Sequence, residues 1–208
     1  MVQQPALWWH DRKHKICLAS ASPRRLALLR QVGIEPKLNP VDCDETSKKS
    51  EDPRTYVVRL ACDKAKMGAL PGYLTLGSDT AVVVDNRILG KPQSRDEAIA
   101  MVQSLVGRNH AVMTGVAVHD LLGQIHHQVV VTQVTMRQAS LDEVVAYIDH
   151  GESMDKAGAY AIQGMGGFLV SRIEGSYSAV VGLPLVESLA LLHKAALNDG
   201  KSDRVMMT

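Results

Sequence analysis

Ser20-Ala21-Ser22-Pro23-Arg24-Arg25 decides how the chain is read. An apolar run, Ile16-Cys17-Leu18-Ala19, precedes it, and a helical one, Leu26-Ala27-Leu28-Leu29, follows. Proline suits the first position of a helix, where its missing N–H would be unpaired in any case, and Ser22 is then the natural N-cap. A strand therefore ends, a turn of small residues follows, and a helix opens with hydroxyls and two guanidiniums at its mouth. The free N–H groups and the positive dipole end of a helix N-terminus attract anions. Arg24 and Arg25 add planar forks that match phosphate oxygens. The plainer alternative is a capped helix with two solvated arginines.

Working outward, the first strand is expected over residues 15–19 and the helix over 23–32, with Gly33 as its stop. An acidic connection with Asp42, Asp44 and Glu45 leads to Asp52-Pro53, which reads as N-cap and first turn of a second helix. That helix carries Tyr56, Val57, Leu60, Ala61 and Ala65 on one side, with Lys64 near its end. In Gly72–Thr80 a strand runs into Asp79-Thr80 and resumes at Ala81–Val84, before an Asp85-Asn86 turn, a return over Arg87-Ile88-Leu89, and a break at Gly90-Lys91-Pro92. An aspartate inside an apolar segment is costly to bury unless it is bonded or coordinates something. Asp79 is thus either a turn residue at a strand end or a functional carboxylate, and perturbed carboxylates cluster at sites.

Ser94 with Glu97, and Ser140 with Glu143, read as capping boxes. Between the helices they open, residues 110–120 and 124–137 alternate as an antiparallel hairpin. His126 and His127 fall on opposite faces of it and read as structural or exposed. The Gly/Ala-rich run 155–167 lacks a GxGxxG pattern, and its glycines suit a close backbone approach. A strand over 168–173, a short segment over 176–181, and a helix from Pro184 to about Leu197 complete the domain. The expected organisation is an extension over 1–14, one mixed α/β domain over 15–197 with a curved sheet and two lobes around a cleft, and a polar tail over 198–208. His10 and His14 stand four apart, as in a helical metal pair or simply in a loose tail.

Composition limits the function. The chain has 208 residues, 46% apolar and 22% charged, with net charge +1 and 4% aromatics. No global basic field argues for polymeric nucleic acid, and few aromatics are available to stack single-stranded bases. Three cysteines without CxxC spacing point to a reducing, cytoplasmic setting and against structural zinc. No apolar run approaches the ~20 residues of a membrane span. No signal-peptide core of ~7–15 apolar residues is expected either.

The chemistry available is cationic at Arg24, Arg25, Lys64 and Lys91, and anionic at Glu45 and Asp79. Without a Walker A motif, GxSxG elbow or HExxH, metal-assisted hydrolysis is the economical reading. Mg²⁺ takes one or two carboxylates and completes its shell with phosphates and water. Spacing alone does not gather these six residues into one site.

Five stretches, in order, carry a resemblance. Ser20-x-Ser22-Pro23-Arg24-Arg25, Ser78-Asp79-Thr80, Leu89-Gly90-Lys91-Pro92, Ala157-Gly158-x-Tyr160-x-Ile162-Gln163-Gly164 and Gly175-Ser176-Tyr177…Val181-Gly182-Leu183-Pro184-Leu185 resemble the Maf family of nucleoside triphosphate pyrophosphatases. The resemblance runs from about Ile16 to about Leu192. It implies an elongated fold shared with the inosine-triphosphate pyrophosphatases (the Maf/Ham1 fold), with a central cleft. It also implies a homodimer and a divalent cation, Mg²⁺ or Mn²⁺. The implied reaction is cleavage between the α and β phosphates of a nucleoside triphosphate.

Carried over residue by residue, Ser20, Arg24, Arg25, Lys64 and Lys91 hold phosphates, and Asp79 is the proton acceptor beside the metal. Glu45 is the second metal carboxylate, a place Asp44 could take. Arg24, Thr80 and Gln163 match positions that set base preference. Ser78 departs from the alanine of many members, and Cys43-Asp44 from a more acidic run. Gln163 offers one acceptor and one donor, matching the N3–H and C4 carbonyl of uracil or thymine. Guanine, with two adjacent donors, suits the Glu that the sister subgroup carries. The Gln-type signature thus resembles the dTTP/UTP subgroup, with modified pyrimidine nucleotides as further expected substrates. Gln163 could instead be structural, satisfying its Gly-rich loop. The family's link to septum formation offers a second expectation, a nucleotide-responsive regulator of cell division acting by binding.

Overall fold

The computed structural model describes the backbone of residues 14–205 and side chains as far as Asn198. Residues 1–13, including His10 of the expected extension, and residues 206–208 lie outside the described residues. In chain order the elements are β1 (Lys15–Leu18), α1 (Pro23–Gln31), β2 (Lys37–Leu38), α2 (Pro53–Met67), β3 (Tyr73–Val84) and β4 (Arg87–Leu89). Then come α3 (Arg95–Leu105), β5 (Asn109–His119), β6 (Ile125–Met136), α4 (Leu141–Asp149), β7 (Val170–Glu174), α5 (Tyr177–Val181) and α6 (Leu185–Val205). Helix starts follow their caps. The Ser22 hydroxyl accepts the Arg25 N–H, Asp52 accepts from the N–H groups of Arg54 and Thr55, and Ser140 with Glu143 forms a full capping box.

The α3 cap is only half of the expected box. Ser94 accepts the Glu97 N–H, but the Glu97 carboxylate turns to the Gln93 N–H at 2.7 Å. Three further expectations shift. Residues 165–169 form a 3-10 turn, so β7 begins at Val170. The short segment 176–181 is a helix capped by Ser176, and α6 continues past Leu197 to Val205.

Seven strands among the described residues form one mixed sheet, ordered β2-β1-β3-β5-β6-β7 with β4 also on β3. β1 runs parallel to β2 and β3, and all other pairs are antiparallel. β3 and β4 turn through Asp85 and Asn86, both with positive φ (50° and 60°), the geometry of a two-residue hairpin loop. β3 is continuous through Asp79 and Thr80, where an interruption was expected. The interruption is in its neighbours instead. β1 pairs with Tyr73–Leu76 and β4 with Val82–Val84, so, among the described residues, 77–81 have a strand beside them only on the β5 side. A cleft opens at this gap.

Alternation along β3 sets two environments. On one face, Leu76 and Val116 join a core with Leu29 of α1 and Leu192 of α6, while Val82 and Val112 join a second core with Val102 of α3 and Tyr147 of α4. Between the two cores lies a belt of hydroxyls, Ser78, Thr114 and Thr132. Each bonds the short α5 segment. Ser78 Oγ directs its proton between the Gly115 carbonyl at 2.8 Å and the Gly182 carbonyl at 3.0 Å, Thr114 donates to the Ala179 carbonyl at 2.8 Å, and Thr132 accepts the Ser176 N–H at 3.0 Å. The five-residue helix buries Ala179 and Val181, with Val181 in the first core and Val180 against the second, and the polar contacts satisfy backbone groups buried with them.

The other face of β3 receives α2. A Cβ at Gly77 would stand 2.3 Å from the Ala61 carbonyl oxygen, and one at Gly115, the cross-strand partner of Asp79, 2.2 Å from that of Val57. These two glycines let the helix backbone touch the sheet, which sets Lys64 over Asp79. Gly115→Ala forces backbone away from backbone. The expected cost is about 3 kcal/mol, read as a fall in Tm of roughly 6–12 °C. An unchanged thermal melt would show that this contact does not fix the helix.

Candidate active site

The Ser20 hydroxyl accepts the Ser22 N–H at 3.2 Å and the Arg25 Nη1 proton at 3.1 Å. Arg25 Nε donates to the Gly182 carbonyl at 2.8 Å, the same oxygen that takes Ser78 Oγ at 3.0 Å. The guanidinium is thus fixed from below by β3 and the α5 segment. Burial lowers its pKa and the Asp79 charge partly restores it.

Lys64 carries the centre. Its side chain is 9% exposed, and Nζ donates to Asp79 Oδ1 at 2.7 Å and Glu45 Oε1 at 2.6 Å. Burial alone would lower the Lys64 pKa, but the Asp79 charge and the hydrogen bonds to both carboxylates outweigh it and raise the value. Burial pushes the Asp79 carboxyl above its ordinary range, against the pull of Lys64 and Arg25. Glu45, half exposed, is opposed by a burial effect but is held low by Lys64, then Lys91 and Arg25. Its loop is tied to α2 by the Tyr56 hydroxyl, which donates to the Glu45 carbonyl at 2.9 Å. Among the described residues Asp79 Oδ2 has no hydrogen-bond partner.

Ser20, Arg24, Arg25, Glu45, Lys64, Asp79, Thr80, Lys91 and Gln163 all line one cleft of ≈ 710 Å³. Ser20 with Arg25, and Glu45 with Lys64 and Asp79, are in direct contact. Arg24, Thr80, Lys91 and Gln163 share the cleft without bonding to those groups. Thr80 points to the opposite face of β3 from Asp79, and both reach the cleft because it opens at the strand's unpaired edge. Thr114 Oγ1 directs its proton to the Ala179 carbonyl at 2.8 Å and to Thr80 Oγ1 at 3.1 Å, so Thr80 accepts in that contact.

Sequence reasoning missed Tyr56, Lys156 and Tyr160, which also line the cleft. A lysine opening a Gly/Ala-rich run was the one available signal for Lys156. Asp44 makes a local bond to the Thr46 N–H instead of joining Lys64, so Glu45 is the carboxylate at the centre. His126 is structural, bonded to Asp120 at 2.8 Å, and His127 is exposed.

Two carboxylates converging on one ammonium supply hard oxygen donors. No cluster of three or more His, Cys, Asp or Glu exists among the described residues. That set fits a cation that takes most of its shell from phosphates and water. A buried carboxylate beside cations of the kind that match phosphate oxygens defines the class of site, a charged cleft on a mixed α/β sheet.

The comparisons give the class its family. A model described as "Maf-like protein" matches residues 15–195, and the chain belongs to that family. A relative from Myxococcus xanthus named dTTP/UTP pyrophosphatase is 50% identical over 185 residues, covering 88% of this chain and 93% of its own. Another of that name, from Anaeromyxobacter dehalogenans strain 2CP-1, is 46% identical over 184 residues, covering 87% and 94%. A solved HAM1 protein from Coxiella burnetii overlaps with a TM-score of 0.43 at 19% identity, over 61% of this chain and 74% of that one.

Proposed function

We propose that this chain hydrolyses dTTP and UTP between the α and β phosphates, releasing nucleoside monophosphate and pyrophosphate. The observation that carries the reading is Asp79, buried and held by Lys64 in a cleft ringed by Arg24, Arg25 and Lys91. The names of the relatives, at 44–50% identity over most of the chain, supply the substrate. Lys64 occupies Asp79 Oδ1, which leaves Oδ2 to take a proton from water attacking the α phosphorus. The α-phosphorus–oxygen bond to the β phosphate breaks, and pyrophosphate leaves with its charge met by Arg25, Lys91 and the helix N-terminus at Ser22. Arg25 is preorganised for this by Ser20 and Gly182. Glu45 and Asp79 are the residues to hold a divalent cation, Mg²⁺ or Mn²⁺, which when bound neutralises phosphate charge and lowers the pKa of water. Gln163 and Thr80 present donor and acceptor groups to the base, and modified pyrimidines belong to the same proposal.

The three free cysteines favour a cytoplasmic setting. No helix among the described residues is long and apolar enough to cross a membrane. A homodimer is part of the reading, because among the described residues β7 pairs only with residues 133–136 of β6 and leaves residues 125–132 of that edge without a strand. Light scattering on the purified chain tests it.

Product analysis on a panel of nucleoside triphosphates with Mg²⁺ or Mn²⁺ tests the reaction. UMP or dTMP with pyrophosphate is expected, with little turnover of methylated GTP. Orthophosphate as the first product would overturn it.

A further inference from the structure

Asp155 stands where a ligand anion would be useful. Its carboxylate meets Arg24 Nη1 at 3.7 Å on one side and the Lys156 ammonium on the other. Arg24 belongs to the first turn of α1, and Lys156 to the Gly-rich segment, so the carboxylate bridges two elements far apart in sequence. Asp155 is mostly exposed, whereas the Lys156 side chain is only 14% exposed and lines the cleft. The Lys156 backbone is not loose. Its N–H donates to the Ser153 carbonyl, its carbonyl takes the Ala159 N–H, and Gly158 N–H donates to the Gly90 carbonyl at 3.0 Å. That last bond fastens the segment beside Lys91, so two lysines approach the cleft from one rim.

An ammonium that is largely buried is expensive to leave unpaired. Among the described residues, Lys156 has an ion-pair partner only because its own neighbour turns back to it. A carboxylate so exposed gains little from an ion pair, and a polyphosphate brings several charges at once. We propose that Lys156 is a further phosphate-binding residue of this cleft, and that Asp155 is an internal competitor which substrate phosphate displaces from Lys156 and Arg24. The inference rests on the polyphosphate reading of the cleft. It adds a cation to the phosphate site and a carboxylate that limits affinity for anions when the cleft is empty.

The test is equilibrium binding of inorganic tripolyphosphate, and of a non-hydrolysable UTP analogue, to the full chain. Lys156→Met is expected to weaken both about 10-fold, and Lys156→Arg to stay within about 2-fold of the parent, since it keeps the charge. Asp155→Asn is expected to tighten both about 3-fold at low salt, with the gain fading as salt screens the exposed carboxylate. In the Lys156→Met background that gain should shrink. Unchanged tripolyphosphate binding in Lys156→Met, or weaker binding in Asp155→Asn, overturns the proposal, as does a parent chain that binds no tripolyphosphate. A parent that turns over neither dTTP nor UTP, yet binds tripolyphosphate in a Lys156-dependent way, would sink the substrate reading and leave this inference standing.

Discussion

Asp79→Asn lowers kcat on dTTP and UTP by about 10³-fold while the fold is retained, the loss expected when a general base is removed from a hydrolytic site. The side chain keeps its shape and an oxygen to accept from Lys64, so the 2.7 Å contact under α2 has a replacement. What disappears is the ability to take a proton at the second oxygen. The pH dependence follows from the same geometry. Burial raises the Asp79 pKa against the opposition of Lys64 and Arg25. The ionised carboxylate is the active form, so kcat/KM should rise with pH through a value above the ~3.9 of an unperturbed aspartate. Lys64, raised in turn by Asp79 and Glu45, stays protonated throughout that range. The residual activity of Asp79→Asn should lack this limb. Parent-like turnover in a variant with an unchanged melting curve would remove Asp79 from the mechanism.

The dependence of Asp79 on Lys64 shows which parts of the site could be read from the chain. The Ser22-Pro23 start of α1 and the Asp52-Pro53 start of α2 are local features, set by capping chemistry within a few residues, and they are visible in one dimension. Asp79 was visible as a charged residue in an apolar run. The pairing of Lys64 with both carboxylates was not, because it depends on how closely α2 approaches the sheet. Two glycines on different strands, Gly77 and Gly115, set that approach, and nothing local marks either as a helix-packing position. The gap between β1 and β4 is equally non-local. β3 reads as a strand throughout, and only the ends of its neighbours expose residues 77–81. The α5 segment has only five residues, too few for its buried apolar positions to show a helical period, and hydroxyls of three strands fix its backbone. Family motifs gathered the site residues from sequence. The physical reason they converge lies in contacts between segments.

Gln163→Glu carries the second large effect. Gln163 is exposed in the cleft and commits no side-chain hydrogen bond to the protein among the described residues, which leaves both ends of its amide for a base. Uracil and thymine offer N3–H beside the C4 carbonyl, so the amide oxygen accepts and the amide nitrogen donates. A carboxylate still accepts from N3–H but sets its other oxygen against the carbonyl, leaving two acceptors facing each other. The expected loss in kcat/KM on dTTP and UTP is about 10²-fold, less than the ~10⁴–10⁵ of a fully buried hydrogen-bonding site, because water reaches this one. Methylated GTP should gain, since N1–H and the N2 amino group are two donors for two carboxylate oxygens. Cytosine provides the internal control. Rotated by half a turn, the amide could pair with cytosine's N3 and N4 amino group as well as with uracil, so Gln163 by itself does not separate the two bases. If the parent rejects CTP, another group must fix the choice. Thr80 then becomes the position to examine, since its hydroxyl lines the cleft and is held by an accepted bond from Thr114. Equal turnover of UTP and CTP by the parent would instead mean that the amide turns freely. An unchanged substrate profile in Gln163→Glu would mean that residue 163 does not touch the base.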